Sequence, residues 1–412
     1  MDHVNEKADS TWNQTALAYL LTRVLDTPFW GLFNLIPFIL YKDLHATPFQ
    51  LALVISLKPL VSILSSYWSS KAQHLSNGVR LSLFCGRWLA YIPFLALPFV
   101  HSSWYLIACF GVYMFLQMGM MPAWMELLNQ RLSPPVRDKV FSYAQAFGYL
   151  GGGLLPFLLG WMLDEWFQAW RWMFPIAALF GLSAFFWQRR ILVFLHKVPP
   201  TSASKNSLHS LIRPWINSWK LLKRRPDFAK FQMGFMWIGC GLMIIQPTLP
   251  VFFVDSLHLS YTEMGVAITL CKGIGFALSS PFWVRWLQRV NFFYFGSIIA
   301  GLAVLFMALL VTAQAEILWL YIAYLIYGLM QAGNELSWNM SGPIFAKNED
   351  SSPYSTVNVI AIGVRGIFIP SIGAFCLAQF GSLTVIAISA LLCLVAALKM
   401  MVYSQEKVKV MS

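Results

Sequence analysis

Five charged residues lie near the middle of otherwise apolar stretches of the sequence, and their chemistry suits the binding of a charged ligand. They are Arg23, Asp26, Lys58, Lys272 and Arg365. A charged side chain costs roughly 2.5–3.5 kcal/mol to insert at the centre of a bilayer, so it is expected to face a helix-bundle interior or a water-filled path. At about 1.5 Å of rise per residue, all five fall near the middle of a hydrocarbon core about 30 Å thick.

The charges of these five residues do not balance, because Asp26 is the only carboxylate among them. We expect Asp26 to pair with Arg23 or with Lys58, which leaves at least two cations without a counter-ion. Our hypothesis is that an anionic solute, such as a phosphorylated metabolite, a nucleotide or a carboxylate, supplies the missing charge. The predicted substrate-binding residues are therefore Lys58, Lys272, Arg23 and Arg365.

Lysine and arginine suit different parts of this task. An arginine can bind two oxygens at once, whereas a lysine acts as a point charge. The alternative for each lysine is structural: a buried lysine can lose its proton or bond to helix carbonyls. Asp26 is the predicted coupling residue for a proton or another ion, and its alternative is a fixed ion pair. We expect Arg87 to lie nearer a segment end, where it could extend to the membrane surface.

Four further charged residues are predicted at the cytoplasmic ends of apolar segments, where carboxylates and cations could pair to close a gate. The alternative is ordinary solvation of helix ends. The four predicted gate residues are Lys71, Arg285, Glu126 and Glu335.

Composition indicates an integral membrane protein. The chain is 58% hydrophobic, has a mean hydropathy of +0.62 and is only 11% charged, against about 25% for soluble domains. The first apolar run is too long for a cleavable signal peptide. The six cysteines show no CxxC pair, so we expect no disulfide framework, no metal site and no cofactor.

Twelve apolar runs are long enough to cross a hydrocarbon core. They show no strand-like alternation, which excludes a barrel, and the predicted fold is an all-α membrane protein. The runs lie near 14–40, 49–68, 81–99, 103–125, 140–163, 171–190, 230–254, 263–284, 292–313, 317–340, 354–379 and 383–403.

The distribution of lysine and arginine predicts the orientation. Outside the runs, these residues fall almost entirely on one side, and only Lys42 and Arg171 fall on the other. By the positive-inside rule, both termini are cytoplasmic. The same rule explains the isoelectric point near 9.4, so we expect no nucleic-acid partner. We expect a multi-pass protein of the cell (inner or plasma) membrane.

The chain also shows an internal duplication. At a constant offset, Lys58 matches Lys272, Gln117 matches Gln331 and Trp124 matches Trp338. The predicted domains are two six-helix bundles, 1–190 and 230–412, joined by a cytoplasmic linker at 191–229. Within the linker, apolar residues recur every three or four positions from 208 to 222 among basic residues. This pattern is typical of an amphipathic helix on an anionic membrane surface.

Two six-segment repeats of equal orientation joined by a basic loop resemble the major facilitator superfamily. Of that family's charged loop motif after the second span, the sequence keeps the basic residue, Lys71. The resemblance implies two parallel six-helix repeats, a substrate site near the midplane between them and alternating access.

The predicted function is secondary active transport of a small anionic solute, with proton, ion or exchange coupling, by a monomer in the lipid bilayer. The alternatives are a non-transporting sensor or scaffold of the same fold and a membrane-embedded enzyme acting on lipid-linked substrates.

Overall fold

The protein is described by a computed structural model over residues 2–73, 78–132, 134–166, 168–192, 208–346 and 351–411. Within these ranges the chain is helical and contains no strand, which confirms the predicted all-α fold. The helices are α1 (Asp2–Lys42), α2 (Pro48–Gln73), α3 (Gly78–Tyr91), α4 (Ser103–Arg131), α5 (Pro134–Glu165), α6 (Trp170–Leu192), α7 (Leu208–Arg224), α8 (Pro226–Ile244), α9 (Thr248–Val251), α10 (Tyr261–Gly265), α11 (Lys272–Leu287), α12 (Phe292–Thr312), α13 (Leu318–Ala346) and α14 (Ser352–Met411).

Three segments of other helical types extend these α-helices. A 3₁₀ segment, Ile92–Phe99, continues α3. Two π-helical segments follow α9 and α10, at Phe252–Ser256 and Val266–Cys271. The second of them joins α10 directly to α11, so a helical run continues from Tyr261 to Leu287.

Six helical runs in the described part of the chain are long and apolar enough to cross a membrane. Each overlaps one or two of the apolar segments predicted from the sequence. They are Gln14–Lys42, Ser103–Met120, Pro226–Ser256, Tyr261–Leu287, Phe292–Thr312 and Pro353–Gln405. Two shorter apolar helices, Pro48–Val61 and Leu83–Phe99, overlap the second and third predicted segments.

The run at the C-terminal end is broken at Gly381, the only described residue of α14 with non-helical backbone angles. Its φ of 77° and ψ of 173° lie in a region that is accessible essentially to glycine alone. Gly381 therefore divides α14 into two arms, 352–380 and 382–411. The break falls between the eleventh and twelfth predicted segments, so α14 contains both of these segments, one in each arm.

The chain forms two compact units. The first contains Met1–Ala46 and Leu60–Ser204, and the second contains Thr47–Pro59 and Lys205–Ser412. In the first unit α1 packs on α5 and α6, and α3 packs on α4. The centre of this packing is the fully buried Phe29, whose ring contacts those of Phe33, Tyr91, Phe94 and Tyr113 at centroid distances of 4.7–4.9 Å.

In the second unit α8 and α12 pack on α14, and α11 packs on α13. The core between α8, α12, α13 and α14 contains a buried aromatic group of Phe228, Phe231, Phe292 and Phe345. On the outside, large apolar side chains such as Leu278 and Phe368 are exposed. An apolar exterior around an apolar core is the arrangement expected of a protein surrounded by lipid.

Two glycines bring α11 and α13 together. A methyl group on Gly328 would lie 2.1 Å from the backbone oxygen of Lys272, and one on Gly275 would lie 2.2 Å from that of Leu325. Within a membrane the hydrophobic effect does not drive helices together. Helix pairing there depends on close approach of the backbones, which small residues permit. The position of Lys272 relative to α13 therefore depends on Gly328.

We predict that Gly328→Ala separates α11 from α13 and destabilises the protein by about 1–3 kcal/mol, the usual cost of overpacking. Gly301→Ala is the matched control, because Gly301 lies in α12 with no atom within 4 Å of an added methyl group. Thermal unfolding of the purified protein in detergent compares the two variants. Equal unfolding temperatures for Gly328→Ala and Gly301→Ala would contradict the close packing described here.

Candidate functional site

Lys58, Lys272 and Glu335 form one charged group in the second unit, called here the lysine–glutamate cluster. Lys58 lies in the first half of α2, Lys272 begins α11 and Glu335 lies in α13. The Glu335 carboxylate interacts electrostatically with both lysines. It also accepts a hydrogen bond from Nε2 of Gln331, one helical turn earlier, at 3.3 Å. The structure therefore brings two predicted substrate-binding residues to a common carboxylate.

Local backbone features position each lysine of the cluster. The π-helical segment Val266–Cys271 ends directly before Lys272, and π turns within helices occur frequently at functional sites. Lys58 is followed by Pro59, whose ring packs against Gly366 of α14 so closely that an added methyl group there would lie 2.6 Å from Cγ of Pro59. Ser56 adds a hydrogen bond of 3.5 Å to the carbonyl of Ile367. These contacts fix the Lys58 end of α2 on α14.

By formal charge the lysine–glutamate cluster is positive. Lys58 and Lys272 both interact electrostatically with the one carboxylate of Glu335, and none of the three side chains forms a direct salt bridge with another. Lys58 is exposed, whereas Lys272 and Glu335 are half-buried. A cluster with surplus positive charge and an accessible lysine can bind an anion, because a second negative group would complete the charge balance.

A second polar network lies in the first unit around Asp26. The Asp26 carboxylate binds Arg87 through both oxygens, with Nη1 to Oδ1 at 2.8 Å and Nη2 to Oδ2 at 3.1 Å. The Tyr91 hydroxyl donates to Oδ1 at 2.6 Å. Arg87 is 1% exposed and Asp26 is 4% exposed. This is a fully buried, bidentate ion pair.

The ion pair corrects two predictions. Asp26 pairs with Arg87, so the prediction of Arg23 or Lys58 as its partner is wrong. The prediction that Arg87 extends to the membrane surface is also wrong. Arg87 lies in the middle of the helical run that α3 forms with its 3₁₀ extension to Phe99, rather than near an end of it. Its guanidinium therefore points into the unit, where it also donates to the carbonyl of Gly181.

Tyrosines extend the network away from the ion pair. The hydroxyls of Tyr91 and Tyr113 are 3.5 Å apart, and Gln117 donates from Nε2 to the Tyr113 hydroxyl at 2.9 Å. Both tyrosine rings also pack against Phe29. The network therefore ties the polar partners of Asp26 to the aromatic centre of the first unit, which holds the carboxylate in place.

Arg365 and Arg23 are the other two predicted substrate-binding residues, and each makes contacts within its own unit. Arg365 is 6% exposed and points at α8, where Nη1 donates to the carbonyl of Phe235 at 3.0 Å. Its guanidinium packs against Gly239, and its Nε has no hydrogen-bond partner. Arg23 in the first unit lies over the ring of Tyr19, with its Cζ 5.6 Å from the ring centroid.

The four predicted gate residues are placed as follows. Arg285 is exposed near the end of α11. Glu335 lies in the second half of α13, which continues to Ala346. The side chains of Lys71 in α2 and Glu126 in α4 lie outside the described residues.

We predict that Arg87→Leu destabilises the protein by about 3–5 kcal/mol, because it leaves Asp26 as a buried charge without its partner. Arg289→Leu serves as the control, since Arg289 is exposed. The measurement is the unfolding temperature in detergent. If Arg87→Leu unfolds at the temperature of the wild type, the ion pair does not stabilise the first unit.

Comparisons with known proteins agree with this architecture. The sequence model described as "Major Facilitator Superfamily" matches residues 18–350. No curated protein matches the sequence. Among solved structures, the nucleoside transporter NupG is similar with a TM-score of 0.72 and 13% identity, over 95% of this chain and 98% of that one.

Two other solved structures show the same fold. A POT family transporter in complex with a thioalcohol-conjugated peptide has a TM-score of 0.73 and 13% identity, over 95% of this chain and 96% of that one. A bacterial homologue of the human lysosomal transporter Spinster has a TM-score of 0.60 and 12% identity, over 98% of both chains. The family match, together with these structures, identifies a multi-pass membrane transporter rather than an enzyme. The chain belongs to the Major Facilitator Superfamily.

Proposed function

We propose that this protein is a secondary active transporter that moves a small anionic solute across the cell membrane by alternating access. Membership of the family supports the transport function. The observation that carries the anionic part of the proposal is the lysine–glutamate cluster, in which Lys58 and Lys272 share the single carboxylate of Glu335. The similar structures are of nucleoside and peptide transporters, which supports a small polar solute.

The proposed topology has twelve spans in two parallel six-helix repeats, with bundles at 1–190 and 230–412, a linker at 191–229 and both termini in the cytoplasm. The distribution of lysine and arginine supports this orientation. The break at Gly381 supports the separation of the last two spans. We propose that the protein acts as a monomer.

In the proposed binding mode the solute anion lies between the ammonium groups of Lys58 and Lys272. Glu335 balances one of the two lysines before the solute arrives, which lowers the cost of keeping both charged at membrane depth. The arriving anion then competes with Glu335 for the lysines and supplies the second negative charge. Arg23 and Arg365 stay proposed as further solute contacts that another conformation of the cycle would bring into use.

Coupling requires a carboxylate that can change its partner. Asp26 stays a predicted coupling residue, but its bidentate bond to Arg87 and its hydrogen bond from Tyr91 favour the alternative, a fixed ion pair. Glu335 has no direct salt bridge with either lysine and is half-buried. We therefore favour Glu335 as the residue that takes up a proton or exchanges partners during transport.

The proposed gate consists of Lys71, Arg285, Glu126 and Glu335. The position of Glu335 near the middle of α13 favours the solute site over the cytoplasmic gate for this residue. Arg285, exposed near the end of α11, can still pair with a carboxylate at that end.

Substitution of either lysine is predicted to weaken transport of anions. In proteoliposomes, counterflow of a panel of labelled phosphorylated, nucleotide and carboxylate solutes identifies the preferred anion. Lys58→Gln and Lys272→Gln should each raise its KM roughly tenfold or more, since a hydrogen bond to a charged group contributes about 1.5–3 kcal/mol. Lys399→Gln, an exposed lysine of the same unit, is the control.

An unchanged KM in both variants would contradict the binding mode. Absence of counterflow for every solute, in protein that is shown to be folded, would instead favour the sensor or scaffold alternative.

Removal of the Glu335 charge is predicted to separate exchange from coupling. Glu335→Gln should keep counterflow of the preferred anion but lose the stimulation of net uptake by a pH gradient, because the residue can no longer bind and release a proton. Asp26→Asn is the matched comparison. The folded fraction of this variant should keep the stimulation of net uptake by a pH gradient. The reverse result, with stimulation lost only in Asp26→Asn, would return the coupling role to Asp26.

A further inference from the structure

The helix α7, Leu208–Arg224, packs on the protein with one side of its described part, residues 215–224. Ser218 is buried, and Leu221 and Leu222 pack against the aromatic core between α8, α12, α13 and α14. This packing face attaches α7 to the second unit. The helix α7 ends directly before α8, which begins at Pro226.

The second face of α7 is apolar and exposed. Trp215 and Trp219 are 48% and 62% exposed, and Ile216 is 40% exposed. At 3.6 residues per turn, these three side chains occupy the sector beside the packing face. Tryptophan is enriched where a membrane meets water, because its ring is apolar and its indole N–H is polar.

The exposed surface of α7 is also basic. At 3.6 residues per turn the exposed Lys220 follows the apolar sector around the helix, and the exposed Lys223 lies within that sector, between Trp219 and Ile216. The Lys223 ammonium lies 5.4 Å from the centroid of the Trp219 ring. The sequence of α7, LHSLIRPWINSWKLLKR, contains no acidic residue. The charge of the exposed surface therefore has one sign.

We propose that α7 is an interfacial helix that binds the anionic lipid headgroups of the cytoplasmic leaflet beside the second unit. The tryptophans enter the boundary between headgroups and acyl chains, while the lysines contact phosphate groups above them. This arrangement, a packing face beside an apolar sector with lysines within and beyond it, matches a helix that lies in the membrane plane with one side against a bundle. Charge complementarity selects an anionic lipid surface as the occupant.

Hydrogen exchange of the full chain in lipid nanodiscs tests the proposal. The discs contain phosphatidylcholine alone or phosphatidylcholine mixed with phosphatidylglycerol. Two lysines at an anionic surface favour docking by roughly thirtyfold, so the amides of α7 should exchange about that much more slowly in the mixed discs. The difference should shrink at high salt, which screens surface charge. Amides of α12 report that each variant is folded.

Three variants identify the faces responsible. Lys220→Gln combined with Lys223→Gln should remove the difference between the two disc types. Arg285→Gln combined with Arg289→Gln, which neutralises exposed arginines elsewhere in the second unit, should keep it. Trp219→Ser should accelerate exchange in both discs, because the apolar anchor is lost.

Equal exchange of wild-type α7 in both disc types would overturn the proposal. So would a difference that persists without Lys220 and Lys223. Slow exchange in both disc types that is insensitive to salt would point to protein packing as the occupant of the exposed face. None of these results depends on whether the protein carries an anion.

Discussion

The structure depends on how each unit accommodates charge in an environment of low dielectric constant. A charge buried alone is too costly to keep, so it must be paired, hydrated or discharged. In the first unit the buried charges of Asp26 and Arg87 are paired with each other through two hydrogen bonds, and Tyr91 contributes a third. In the second unit Lys58 and Lys272 share one carboxylate, and Arg365 bonds to a carbonyl. This difference between the units is the basis of the functional proposal.

Packing between backbones determines where the unbalanced charges lie. Gly328 and Gly275 allow α11 and α13 to approach at the level of Lys272, and Gly366 receives Pro59 directly after Lys58. Within lipid the hydrophobic effect does not drive helix association. The Asp26–Arg87 ion pair holds helices together in the first unit, and small residues do so in the second. The side chains of the cluster are presented by rigid helices, which suits a site that must discriminate among small solutes.

Much of the fold follows from the sequence, because hydropathy and segment length are strong signals when the solvent is hydrocarbon. The apolar segments correspond to helices, and the duplication matches Lys58 with Lys272, which both interact with Glu335 in the structure. The partner of Asp26 was missed because a residue's depth in its own segment does not reveal which neighbouring helix it faces. Only the packing of α3 on α6, with the carbonyl of Gly181 beside Arg87, shows why that arginine stays buried.

The central claim is that the net positive charge of the lysine–glutamate cluster selects an anion. Calorimetric titration of the purified protein with the carboxylate or phosphate preferred in counterflow, and then with its neutral amide or ester, tests that claim directly. The account predicts that the anion binds the wild type at least about tenfold more tightly than the neutral compound, and that the combined Lys58→Gln and Lys272→Gln variant loses this preference. Equal affinity of the wild type for the charged and neutral compounds would contradict it.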